Sequence, residues 1–200
     1  MILIFEQDLT HYRASFYDYL SQVVGEEILI LYGQGEPNSN HIFSFDDKDR
    51  RFKVLELKRK WIGRSFYVQS LSSINDILTH YDVTCVIHRG AIRNLTLLRE
   101  INFFRKRGIP VILRGIGYSV RRKFNPKRNL IDRLHKKIID RANAYLCYTK
   151  GSKVLLDGYY DSQKIFVAVN TLNSDILTSH YDLLSETGKD RIKEELNLTK

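Results

Sequence analysis

Proline, cysteine and long apolar runs are all scarce in this chain, and each scarcity excludes something. Three prolines in 200 residues, with no low-complexity tract and no internal repeat, exclude a disordered or fibrous chain. The two cysteines, Cys85 and Cys147, lie inside the apolar runs VTCVIH and AYLCYT, so both read as small core residues rather than a disulfide or a metal pair. Six histidines show no ligand spacing with them, and neither a metal nor a cofactor is expected. There is no P-loop and no G-x-S-x-G elbow. No apolar run approaches the ~18 residues that span a bilayer. The opening MILIF has no basic region before it and is followed by Glu6 and Asp8, unlike a secretory signal. The expectation is a cytoplasmic protein, with peripheral attachment to the inner face of the plasma membrane as a further option.

What the chain does have is apolar content and unevenly placed positive charge. Hydrophobic residues make up 43% of it, enough for one substantial core. The net charge is +9, and residues 121–141 alone hold nine Lys/Arg against two Asp. Such clustering attracts polyanions or anionic lipid. Arg121, Arg122, Lys123, Lys127, Arg128, Lys136 and Lys137 are the residues expected to face a membrane. Smaller clusters lie at 58–64 and 105–107. No RNA-recognition or zinc-finger pattern accompanies the charge, so nucleic acid is not an expected partner.

Seven short apolar runs read as strands: Ile2–Phe5, Ile28–Tyr32, Phe52–Leu57, Val83–His88, Pro110–Arg114, Ala144–Tyr148 and Ile165–Val169. Helical stripes fall between most of them. Tyr12–Val24, Leu71–Leu78 and Asn94–Arg107 are three, with Asn94 as the expected N-cap of the last. In Lys127–Ala142 the spacing predicts one apolar face of Leu130, Ile131, Leu134, Ile138 and Ile139. In Ser152–Asp157, Gly158 is the expected left-handed C-cap. Residues 33–51 read as a loop or flap. The alternation predicts an α/β, Rossmann-like, doubly wound and mainly parallel sheet of about seven strands with helices on both faces. Residues 1–170 form the expected domain, and 171–200 a connector.

Ligands of such sheets bind beyond the carboxyl ends of the strands. RGIGYS (Arg114–Ser119) follows the fifth strand. Its spacing does not match a dinucleotide fingerprint, but Gly115 and Gly117 permit either close ligand approach or a tight positive-φ turn. IHRG ends the fourth strand with His88 and Arg89. THYRASFYDYL places His11, Tyr12 and Arg13 at the start of the first helix, where N–H groups can hold a phosphate.

The stretch RANAYLCYTKGSKVLLDGYYDSQKIFVAVNT (141–171) resembles the end of the N-terminal domain of family 4, GT-B-fold retaining glycosyltransferases. Ala142, Asn143, Ala144, Thr149, Lys153, Leu156, Gly158, Lys164, Ile165, Val167, Asn170 and Asp175 carry the likeness. HYRASFYDYL followed by ILILYG resembles the acceptor-side opening of polysaccharide and lipopolysaccharide members. The resemblance implies a hexosyl-transferring enzyme half that binds a saccharide or lipid-linked saccharide acceptor. It also implies a second domain that binds the nucleotide-sugar donor, and no metal. A fragment of residues 1–200 alone is expected to be inactive. Many relatives carry a histidine where this chain has Ile116.

The implied site comprises His88 as the catalytic candidate. His11, Tyr12, Arg13, Arg89, Arg114, Gly115, Gly117, Tyr118, Thr149 and Lys153 are the acceptor- or phosphate-binding candidates. His88 and Arg114 are expected at loop edges, where replacement leaves stability intact. The alternative is a non-catalytic, peripheral membrane or polyanion-binding module that uses the basic 121–141 helix.

Overall fold

Strand residues that are apolar without alternation need cover on both faces, and the sheet supplies it. In the computed structural model, residues 1–7, 9, 11–33, 50–117 and 124–169 are described, with backbone alone at 11 and 12. They belong to the unit Met1–Asn170. Seven strands form the main sheet: β1 (Ile2–Phe5), β2 (Ile28–Tyr32), β3 (Lys53–Glu56), β6 (Cys85–Arg89), β7 (Val111–Gly115), β8 (Ala144–Cys147) and β9 (Ile165–Val167). Their order is β3-β2-β1-β6-β7-β8-β9, and every neighbouring pair is parallel. This is the doubly wound Rossmann-like arrangement, with the reversal of strand order between β1 and β6.

Alternate residues of β1 enter two separate cores. Ile2 and Ile4 pack with Ala14 and Tyr17 of α1 (His11–Val24). Leu3 and Phe5 join a larger cluster with residues of four further helices: α2 (Leu71–His80), α3 (Leu97–Arg105), α4 (Leu130–Arg141) and α5 (Lys150–Asp157).

Four sequence expectations change. A hairpin, β4 (Arg59–Ile62) with β5 (Phe66–Gln69), follows β3 as a separate antiparallel pair; the basic run KRKWIGR hides its strand alternation. Asn94 is not the N-cap of α3, where Thr96 stands at the cap. Its side chain is drawn instead to the buried Glu100, to which its amide donates at 2.9 Å. Gly158 ends α5 with φ −72°, in the right-handed region, so no left-handed cap is needed. The predicted apolar face of α4 is divided: Ile138 and Ile139 are buried beside Asp132 and His135, while Leu130 is 76% exposed, Ile131 49% and Leu134 43%. Two polar anchors set this rotation, because Asp132 accepts from the Asn125 amide at 2.9 Å and His135 bonds the Gly90 carbonyl at 2.8 Å.

Residues 171–200, most of the 33–51 segment (34–49) and residues 118–123 lie outside the described residues. The connector and flap expectations therefore fall there, with Tyr118, Arg121, Arg122 and Lys123. Among the described residues no helix is long and apolar enough to cross a membrane, and no group of His, Cys, Asp or Glu is placed to hold a metal ion.

Candidate functional site

The carboxyl ends of β6, β7 and β8 open into a cleft of roughly 300 Å³. Arg89, Arg93 and Arg114 line it together with Gly90, Gly115, Gly117, His135, Tyr145 and Tyr148; the Arg93 guanidinium is also held by the Ser65 and Arg64 carbonyls. Gly115 has φ +153° and a side chain there would meet the Tyr145 hydroxyl at 2.9 Å; Gly117 has φ +84° and would meet Leu156 at 2.5 Å. Turn geometry and packing against the protein's own side chains thus account for both glycines. Ile116 also lines the cleft.

Beside the cleft, at the reversal point, is a buried charged group built on Glu6. Arg13 reaches its carboxylate at 2.8 Å, and Arg114 and the Tyr17 hydroxyl contact it from two other directions. Burial works to raise the Glu6 pKa, but the charges of Arg114 and Arg13 and the Tyr17 hydroxyl outweigh it, and the carboxyl is held below its ordinary value. Burial likewise opposes the Arg114 charge, and Glu6 more than compensates, so its pKa ends above the ordinary value. Arg114 Nε is buried and meets no hydrogen-bond partner among the described residues. Arg13 and Arg114 are therefore members of an ion cluster, not loop-edge cations.

His88 is corrected in the same way. It is 3% exposed, stacks on Phe5 at 4.4 Å between ring centroids, and does not line the cleft. Its Nδ1 meets the Arg89 carbonyl at 2.8 Å and its Nε2 meets Glu100 at 3.0 Å. Glu100 also accepts from Gln69, Asn94 and Thr96. Burial would raise the Glu100 pKa, but the His88 contact and these donors hold it below the ordinary carboxylate value. His88 thus anchors β6 to α3 rather than facing a ligand.

Two phosphate-binding candidates are also committed elsewhere. Thr149 caps α5, its hydroxyl oxygen accepting from Ser152 N–H at 3.0 Å. Lys153 ties α5 to β9 by donating to the Ile165 carbonyl at 2.6 Å, with Asp157 at 3.4 Å. His11 and Tyr12 open α1. Lys127, Arg128 and Lys137 are exposed, whereas Lys136 pairs with Asp140 at 2.8 Å. Both cysteines are free; Cys147 is fully buried, and burial raises its thiol to about 11.

The hairpin occupies the reversal point itself. Arg59 donates to the carbonyls of Glu6 and Gln7 and to the Gln69 side chain at 2.8 Å, and it lies over the Tyr67 ring at 4.8 Å. Tyr67 in turn bridges to Asn94 after β6. The carboxyl end of β1, on one side of the reversal point where the sheet rule places a ligand, is thereby covered, and the open space lies at the ends of β6, β7 and β8. Sequence reading missed Arg93, His135, Tyr145 and Tyr148. In the chain they read as loop charge, helix face and strand core, and no spacing marks them.

No protein-family model and no curated protein matches the chain. Among solved structures it is similar to UDP-N-acetylglucosamine 2-epimerase from Rickettsia bellii, with TM-score 0.55 and 13% identity over 100% of this chain and 52% of that one. It is also similar to UDP-GlcNAc 2-epimerase from Neisseria meningitidis bound to UDP-GlcNAc, with TM-score 0.52 and 15% identity over 100% of this chain and 54% of that one. The chain spans about half the length of each. It has the half-fold of the GT-B architecture. At these identities the likeness is one of fold, and the GT-B half-domain is as far as it reaches.

Proposed function

We propose that this chain is the acceptor-binding half of a sugar-nucleotide enzyme, a retaining glycosyltransferase that modifies a cell-envelope or polysaccharide acceptor. One observation carries the reading: on a GT-B half-fold, the cleft at the ends of β6, β7 and β8 is lined by Arg89, Arg93 and Arg114 beside glycine backbone. Guanidinium forks match the oxygens of a phosphate or diphosphate. In this reading they hold the anionic part of a lipid-linked saccharide. A second domain binds the nucleotide sugar, and basic side chains neutralise the leaving diphosphate without a metal ion. The resemblance of 141–171 to family 4 enzymes supports transfer, and the UDP-GlcNAc-bound structure of the same fold supports a nucleotide-sugar co-substrate. His88 acts as a positioning residue through Glu100 and Arg89.

The membrane is the proposed partner surface. Leu130, Ile131 and Leu134 stand exposed at the start of α4 among exposed Lys127, Arg128, Arg133 and Lys137, as on a helix that rests in a lipid interface. The same feature favours the second reading, a non-catalytic membrane-binding module, and the cleft separates the two. Titration of the chain with a short-chain prenyl-diphosphate monosaccharide should shift the amide resonances of Gly90, Gly115 and Gly117. Arg89→Gln should weaken that binding about tenfold or more. Shifts confined to α4, or none, would leave only the membrane module. Sugar transfer by residues 1–200 alone would remove the two-domain part of the proposal.

A further inference from the structure

His135 sits on α4, 8% exposed, and lines the cleft together with Asp132 and Tyr145. Its Nε2 lies 2.8 Å from the Gly90 carbonyl oxygen. A carbonyl can only accept, so Nε2 carries the hydrogen. In a neutral ring, Nδ1 is then a lone-pair acceptor. Burial favours that neutral ring, lowering the imidazole pKa against smaller opposing effects from Gly90 and Asp132. Among the described residues no group donates to Nδ1.

The rest of the cleft has the opposite character. Arg89, Arg93 and Arg114 are donors that line it, with Arg93 also serving the Ser65 carbonyl and Arg114 the Glu6 carboxylate. The Tyr148 hydroxyl receives Arg114 at 3.4 Å, the Tyr145 hydroxyl meets the Gly117 backbone, and the Asp132 carboxylate already takes the Asn125 amide. His135 thus adds an uncharged acceptor to a cleft lined by three arginines. A bare phosphate, all of whose oxygens accept, gains nothing from it. A phosphate joined to a hydroxyl-bearing group gains a hydrogen bond.

We infer that His135 Nδ1 accepts from a ligand hydroxyl, so that the cleft selects a sugar phosphate over inorganic phosphate. This rests on the reading of the cleft as an anion-binding site. His135 is a specificity residue in this account, and it performs no proton transfer.

The test compares glucose 1-phosphate with inorganic phosphate on the 200-residue chain, by NMR titration. The native chain should prefer the sugar phosphate. His135→Phe should reduce that preference about three- to tenfold, the worth of one neutral hydrogen bond, read as the ratio of the two affinities in the same variant so that a loss common to both ligands cancels. His135→Gln has an amide for Gly90 and an oxygen for the hydroxyl, and should restore part of it. Where His135→Phe does not fold, the native chain decides. Long-range proton–nitrogen spectra should show Nε2 protonated, and the Nδ1 resonance should move with glucose 1-phosphate but not with phosphate. Phosphate binding with no sugar preference, a preference untouched in both variants, or a ring protonated on Nδ1 overturns the inference while the cleft stands. Failure of both ligands to bind the folded native chain overturns the cleft and this inference together.

Discussion

Two carboxylates decide how this domain responds to acid. Glu6 is 1% exposed and Glu100 1%, and both are held below their ordinary pKa by the donors around them. Their stabilisation is complete above the unfolded carboxylate value of about 4.3 and is lost as pH falls through the lower folded value. His135 also favours high pH, for the reverse reason. Its folded pKa lies below the ordinary imidazole value, so the unfolded chain takes up the proton first. Its share of stability is complete above about pH 6.5 and declines as pH falls below that. Urea unfolding at pH 7, 6 and 5 should show stability falling toward acid, and His135→Gln should flatten that slope. The buried pairs make a second test. His88→Ala leaves Glu100 without one of its partners, and Arg114→Ala leaves Glu6 short of a cation. Each should cost about 2–5 kcal/mol of stability, read from denaturant midpoints. Unchanged midpoints would restore both side chains to the loop edges where the sequence alone puts them.

At the scale of elements, the turn after β7 and the β4–β5 hairpin shape the cleft. Gly117 stands at φ +84°, with Leu156 at 2.5 Å from where a side chain would begin. Gly117→Ala should destabilise the domain by about 1–3 kcal/mol and displace α5, measured by thermal unfolding and by exchange of the α5 amides. The hairpin depends on Arg59, which donates to the Glu6 and Gln7 carbonyls and to the Gln69 side chain. Arg59→Ala should raise hydrogen exchange in residues 59–69 about tenfold or more and leave the central strands protected. Equal protection in both proteins would mean that the cross-strand contacts of Trp61 and Tyr67 hold the hairpin without the guanidinium.

For the whole molecule, charge and exposed apolar side chains act on the same surface. Each basic residue that reaches an anionic bilayer contributes about 1 kcal/mol. Lys127, Arg128, Arg133 and Lys137 surround the exposed Leu130, Ile131 and Leu134. The chain should therefore co-sediment with phosphatidylglycerol vesicles at low salt, much less at high salt, and little with neutral vesicles. Leu134→Asp should weaken this more than Ile138→Val, because Ile138 is already buried in the domain core. Equal binding to both vesicle types, or none, would sink the membrane assignment.

The doubly wound class, the parallel pairing and the seven strands of the main sheet were determined by the chain itself, whereas the β4–β5 hairpin was not. Runs such as ILIF and ILILY bury side chains on both faces, and only a covered parallel sheet offers that environment. Arg89, Arg114, Gly115 and Gly117 were legible as cleft residues because they end strands, and strand ends converge on one edge of such a sheet. The partners of buried polar groups were decided only by the tertiary structure. His88 and Arg114 look alike as polar residues at strand ends. Burial forces each to find a polar partner, Glu100 12 residues away for His88 and Glu6, just after the first strand, for Arg114. His135 carries no mark in a helix of period 3.6 beyond its place on a face. Its meeting with Gly90, 45 residues earlier in the chain, depends on how α4 is rotated over the sheet. Periodicity names the face of a helix that is apolar, but the polar anchors Asp132 and His135 fix the face that is buried. A lone hydrogen-bonded side chain has no repeat that a sequence can display.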